Sequence, residues 1–315
     1  MSAALTANFP KRVEIYEVGP RDGLQNELRT LATEDKARMI EGLIDAGLKR
    51  IEVTSFVSPR WIPQLADADK LLSLIPRREG VMFSALVPNL KGLERARAAK
   101  LQEAAVFLSV TESHSKKNIN KSVAEAISTV TEVAREAKAE GMRVRCYLST
   151  VWGCPYEGLT PVAKVVELVK RLADVGFYQL SLGDTIGVGT PTQTAEIVGE
   201  VSKLLPLEQI ALHLHDTRGT ALANVLVGLS MGVTTYDSSI GGLGGCPYAP
   251  GAAGNLSTED LAYMLNGMGV ETGIDLKKLV DAGALGQELI GRKLPGKYLQ
   301  AALGEREKQG ARRTA

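Results

Sequence analysis

The chain has 315 residues, 44% hydrophobic and 23% charged. That balance excludes a mainly disordered protein, because the apolar content is enough to offset the entropy of ordering. Lys and Arg number 37 against 36 Asp and Glu, a formal charge of +1, which excludes the strongly basic profile of a nucleic-acid or membrane-surface binder. In chain order, the pattern predicts a strand over 13–18 and a helix over 33–46, capped by Thr33, with Glu34 and Asp35 in its first turn and Gly47 as its stop. Next come a strand over 50–54 with a helix over 67–75, and a strand over 81–87 with a helix over 90–99. A strand over 104–110 leads to a long helix over 122–140 ended by Gly141, and a strand over 144–149 to a helix over 161–175 opened by a proline. The remaining units are 179–182 with 191–205, 210–215 with 221–231, and 234–239 with a glycine-rich loop and a helix over 258–266.

Eight strand–helix units imply parallel pairing and closure into a (β/α)8 TIM barrel. The rival doubly wound sheet lacks its G-x-G-x-x-G after the first strand. Extra C-terminal helices are expected over 276–289 and near Leu299. The expected division is an N-terminal extension 1–12, a barrel catalytic domain 13–269, a helical extension 270–303 packed on the barrel, and a flexible tail 304–315. No apolar run reaches the ~18 residues of a membrane span. Cys146, Cys154 and Cys246 form no CxxC pair, so a reducing compartment fits better than a disulfide scaffold. With no signal or transit pattern at the N-terminus, the expected location is cytoplasmic.

In such a barrel, chemistry sits where the strands end. Arg21 and Asp22 follow strand one, Glu52 lies in strand two, Asp184 follows strand six, and Cys246 and Asn255 follow strand eight. His213 and His215 stand at i and i+2 on strand seven, so both imidazoles point to one face, the barrel interior, and Leu212 and Leu214 to the other. Two structural histidines in a polar core are the plain alternative; H-x-H at a strand end favours metal ligation. Asp22, from the strand that adjoins strand eight, and Asn255 complete a mixed N/O donor set without a thiolate. Such a set suits Mg²⁺ or Mn²⁺, with Zn²⁺ and Co²⁺ as competitors. Taken alone, Asp22 reads as a turn residue and Asn255 as a helix cap. Glu52 also reads as an ion-pair partner in the barrel wall, with Arg21 as its partner. Cys246 lies in Gly-Leu-Gly-Gly-Cys-Pro-Tyr, a glycine-rich loop where a thiol reads as a reactive group or proton carrier. Cys146 and Cys154 read as structural.

The motifs Val-Gly-Pro-Arg-Asp-Gly-Leu-Gln-Asn-Glu, Glu-Val-Thr-Ser-Phe-Val-Ser-Pro, Ser-Leu-Gly-Asp-Thr-Ile-Gly, His-Leu-His-Asp-Thr-Arg-Gly and Gly-Leu-Gly-Gly-Cys-Pro-Tyr resemble those of the 3-hydroxy-3-methylglutaryl-CoA lyases. They run from Val18 to Asn255. The resemblance implies a metal-dependent barrel lyase that splits its acyl-CoA thioester into acetyl-CoA and acetoacetate, as in leucine and ketone-body catabolism. It implies Asp22, His213, His215 and Asn255 as ligands, Cys246, Arg21, Glu52 and Asp184 as catalytic residues, and Gln25 and Tyr147 with Arg21 as substrate contacts. In that chemistry a base removes the C3 hydroxyl proton, the C2–C3 bond breaks, and an acid protonates the acetyl-CoA enolate. The base itself stays open between Asp22, His213 and a water. No nucleic-acid or membrane partner is expected, and a homodimer is expected by analogy. The rivals are a lyase for a longer 3-hydroxyglutaryl-CoA, a Claisen synthase of the isopropylmalate or homocitrate type, a hydroxy-oxo-acid aldolase, and a dead CoA-thioester binder.

Overall fold

The computed structural model describes residues 9–245 and 254–314. Eight parallel strands close into a barrel: β1 (Glu14–Glu17), β2 (Arg50–Ser55), β3 (Met82–Leu86), β4 (Glu103–Ser109), β5 (Arg143–Ser149), β6 (Gln179–Asp184), β7 (Ile210–Leu214) and β8 (Thr235–Ser238). Each pairs with its sequence neighbour, and β1 closes on β8 in the register Glu14↔Thr235 to Glu17↔Ser238. The outer ring is α1 (Thr33–Asp45), α2 (Ala68–Leu74), α3 (Leu90–Ala98), α4 (Glu112–Ile119), α5 (Val123–Ala139), α6 (Val162–Ala173), α7 (Pro191–Val201), α8 (Ala221–Ser230) and α9 (Thr258–Gly267). Beyond the barrel run α10 (Leu276–Ile290) and α11 (Lys297–Thr314). No helix among the described residues is long and apolar enough to cross a membrane.

The expected elements recur, with local differences. Thr33 is the first helical residue rather than the cap; Ala32 takes the cap position, and no side chain caps α1. Ser122 does cap α5, in a reciprocal capping box with Glu125. The sequence reading has no helix at 112–119. This stretch, Glu-Ser-His-Ser-Lys-Lys-Asn-Ile, buries only His114 and Ser115, too little to print an apolar stripe. The segment 304–314, expected as a frayed tail, continues α11. Arg306 pairs with Asp281 across to α10 at 2.7 Å.

The extra helices lie over the seam where the ring of helices closes. Gly42 of α1 faces Ala282 of α10, where an added Cβ would stand 3.2 Å from the alanine's. At the other side, Asp260 of α9 accepts the backbone N–H groups of Lys297 and Tyr298, opening α11. Leu294 and Leu299, both buried, cover Gly241.

Two carboxyls are sealed beneath this seam. Glu17 accepts from the N–H groups of Gly19 and Ile240 and from the Thr258 hydroxyl. Glu259 accepts from Gly241 N–H and the Ser257 hydroxyl. Burial pushes Glu17 up to about 7 and Glu259 up to about 8. An acid whose folded value is raised stabilises the fold fully below its unfolded value, and that stability is lost as pH rises through the folded one. Below about pH 6.5 the buried His114 and His215, both lowered to about 4, oppose this trend, so the urea midpoint should fall between about pH 6.5 and pH 8. Glu259→Gln, which keeps the shape without the charge, should flatten the upper part of that slope. A midpoint that climbs across the window would contradict the sealed acids.

Candidate metal and substrate site

The chain leaves β1 through a π-helical turn, Gly19–Gly23, in which the N–H groups of Arg21, Asp22 and Gly23 all converge on the Val18 carbonyl. Such turns are rare and recur at functional sites. Gly19 is required there: an added Cβ would sit 2.5 Å from Glu17 Oε1. The turn delivers Arg21 and Asp22 side by side to the mouth of the barrel. Arg21 Nη1 donates to Asp22 Oδ1 at 2.5 Å and its Nε to Glu52 Oε2 at 2.6 Å. Tyr147 of β5 also donates to Glu52 Oε2, at 3.0 Å, and its ring lies 5.3 Å from the Arg21 guanidinium carbon. The Glu52–Arg21 pair expected from sequence is thus present, with Tyr147 as a third member.

His213 of β7 and His215, just past its end, meet through their Nε2 atoms at 3.3 Å. Asp22 Oδ2 lies 4.0 Å from His213 Nε2. The ligand atoms of Asp22, His213 and His215 all fall within 4.8 Å of one another. Asn255 reaches this group because the chain beyond β8 turns back along β7. Leu256 N–H donates to the Leu214 carbonyl, and Asn255 bridges His215. Asn255 Nδ2 then donates to Asp22 Oδ2 at 2.9 Å and to the Leu243 carbonyl. Ser257, not Asn255, caps α9, so the plain reading of Asn255 as a cap does not hold. Gly244, at φ +107°, makes room: a Cβ there would lie 2.8 Å from Asn255 Nδ2.

The electrostatics suit a cation. Burial pushes Asp22 up, but Arg21 beside it, with His213, His215 and the Asn255 amide, carries its carboxyl below the usual carboxylate range. Burial, with His213 beside it, drops His215 to about 4, so its imidazole is a neutral ligand at physiological pH. His215 Nδ1 is buried without a hydrogen-bond partner among the described residues, in a cluster of two imidazoles and a carboxylate. A divalent ion fits that donor set and resolves the face-to-face Nε2 contact.

Other expected residues fall differently. Asp184 closes β6, and its carboxylate accepts the N–H groups of Val188 and Gly189 at 3.0 and 2.8 Å. It shapes the loop after β6. Burial pushes its carboxyl above the usual carboxylate value, against the pull of those two donors. Gln25 follows the π turn half-buried, with its Oε1 shielded from solvent and unpartnered among the described residues. Cys246 lies outside the described residues.

Sequence reading missed the layer beneath. Asp237 of β8 accepts from Arg145 Nη1 and Nη2 at 3.0 and 2.5 Å and from Ser181 at 2.8 Å, and stands 3.3 Å from His213 Nδ1. Arg145 also donates to Gln179 Oε1 and stacks under the Tyr16 ring. The only sequence signal was an arginine and an aspartate at inward positions of β5 and β8.

Residues 12–285 match the family model described as HMGL-like. Hydroxymethylglutaryl-CoA lyase YngG of Bacillus subtilis is 50% identical over 292 residues, 93% of this chain and 98% of that protein. The crystal structure of hydroxymethylglutaryl-CoA lyase from Pseudomonas aeruginosa superposes with a TM-score of 0.92 at 44% identity, covering 95% of this chain and 99% of that one. An HMG-CoA lyase from Acinetobacter baumannii, solved with coenzyme A and 3-methylmalate, gives 0.88 at 37% identity over 92% and 95% of the two chains.

Proposed function

Because the chain belongs to the HMGL-like family, we propose that it cleaves 3-hydroxy-3-methylglutaryl-CoA to acetyl-CoA and acetoacetate, with Mg²⁺ or Mn²⁺ held by Asp22, His213, His215 and Asn255. The observation that carries the reading is the convergence of two Nε2 atoms and a carboxylate beside a buried Arg–Glu pair. A bound divalent cation supplies Lewis-acid polarisation of the substrate's hydroxyl and carboxylate oxygens. Arg21, charged at every working pH, faces the negative charge that grows on the thioester oxygen as the C2–C3 bond breaks. Glu52 and Asp22 hold two of its donors, which fixes the plane of the guanidinium before the substrate arrives. Tyr147, bonded to Glu52, keeps that carboxylate from turning away. Gln25 offers its unpartnered Oε1 to a substrate donor. Cys246, in the loop after β8, supplies the proton that the acetyl-CoA enolate takes up.

The test is product analysis with the purified protein. Acetyl-CoA and acetoacetate should appear in equal amounts. Activity should vanish with EDTA and return with Mg²⁺ or Mn²⁺, and His215→Ala should weaken Mn²⁺ binding. Full turnover by chelated protein, or condensation of acetyl-CoA with a 2-oxo acid, would overturn the reading.

A further inference from the structure

Asp237 sits inside the barrel one layer below His213. Its Oδ2 receives Arg145 Nη1 at 3.0 Å and the Ser181 hydroxyl at 2.8 Å, and its Oδ1 receives Arg145 Nη2 at 2.5 Å. Both members of the ion pair are fully shielded from solvent. With donors on both oxygens, the carboxylate has no room for a proton of its own and acts only as an acceptor. The hydrogen in its 3.3 Å contact with His213 Nδ1 therefore belongs to the imidazole. A neutral imidazole carries one N–H, so His213 Nε2 is left with its lone pair, aimed at His215 Nε2 3.3 Å away. In the metal-free protein that second contact needs its hydrogen from His215. This agrees with His215 Nδ1 being buried and without a partner among the described residues.

We propose that Asp237, clamped by Arg145 and Ser181, is a positioning residue that keeps the proton of His213 on Nδ1, so that His213 is a ready-made ligand while His215 must shift its proton from Nε2 to Nδ1 when a divalent cation binds. The inference rests on the metal-site reading above. The two histidines of the H-x-H pair are then unequal. One is preset by a buried carboxylate, as second-sphere carboxylates commonly orient ligating imidazoles. The other changes tautomer, with no change in the number of protons that the pair carries, and its Nδ1–H gains no acceptor among the described residues. That second step sets part of the cost of loading the site.

The chain has only three histidines, so long-range ¹H–¹⁵N NMR of the imidazole-labelled protein at pH 8 resolves each ring, and His114→Gln assigns the third. Without metal, His213 should be protonated on Nδ1 and His215 on Nε2. Addition of Mg²⁺ should convert His215 to the Nδ1–H form and leave the tautomer of His213 unchanged. A His213 protonated on Nε2 in the metal-free protein overturns the role of Asp237. Ring spectra that ignore Mg²⁺ overturn the metal site itself, so the two failures are distinct. Calorimetry of Asp237→Asn should show Mn²⁺ affinity reduced by about 10–100-fold, with circular dichroism reporting the fold. Unchanged affinity in a folded Asp237→Asn protein also overturns the proposal. Where the lost charge prevents that variant from folding, the wild-type spectra decide alone.

Discussion

Arg21→Lys is expected to lower kcat by about 10²–10³ while KM changes little. The guanidinium bonds Glu52 through Nε and Asp22 through Nη1 at once. A lysine ammonium is a point charge without that planar fork and cannot hold both partners in the same geometry. On the proposed reading, the charge that Arg21 meets exists only as the carbon–carbon bond breaks, so its loss should fall on the transition state and not on the bound substrate. Glu52 is wholly buried, and burial already pushes its carboxyl up against the pull of Arg21. With the fork gone it should take up a proton, and the Tyr147–Glu52–Arg21 chain should come apart. Steady-state kinetics on protein of equal metal content is the measurement. A raised KM at unchanged kcat would make Arg21 a substrate anchor only.

Cys246→Ala should cost about 10²–10⁴ in kcat if the thiol moves a proton in the rate-limiting step, which is about 3–5 kcal/mol of transition-state stabilisation. Metal content and substrate affinity should be near normal, and substrate should protect the wild-type thiol from alkylation. The other two cysteines serve as internal controls. Cys146 is buried in β5, and burial pushes its thiol far up, away from the reactive thiolate form. Cys154 is buried and accepts from the Thr111 hydroxyl. Cys146→Ala and Cys154→Ala should therefore retain activity. A loss of less than about threefold for Cys246→Ala, set against the range above, would assign the proton to another group.

The barrel was legible because short apolar runs, several of them β-branched, alternate with longer amphipathic stretches through eight strand–helix units. Boundaries were less so. Strand six runs to Asp184, two residues past its expected end at 182, because Gly183 and Asp184 carry no β-forming pattern and are held by pairing with His213 and Leu214. The H-x-H pair was legible since a two-residue period is a local property. Asp237 was not, because its partner Arg145 is 92 residues away. Within Thr-Tyr-Asp-Ser it looks like any polar residue on a half-buried strand. Tyr147, bonded to Glu52 across 95 residues, came only through family resemblance. The π turn at Gly19–Gly23 was hidden for another reason. Its glycines and proline announce a turn but not which one, and the choice is made by the crowding of Gly19 against Glu17 and of Gly23 against Ser239.

The closure of β1 on β8 gives the catalytic centre a birth date. Asp22 and Asn255 touch across the seam although 233 residues separate them, and α10 and α11, the last helices made, lie over the same seam. A nascent chain emerging from the ribosome carries Arg21 and Asp22 within its first turn of structure, then the histidines, yet has no complete cluster until Asn255 follows. On the proposed reading, a metal ion held there would be captured late in assembly and would clasp the two ends of the sheet. Opening of the seam would then part Asp22 from Asn255 without melting any one helix.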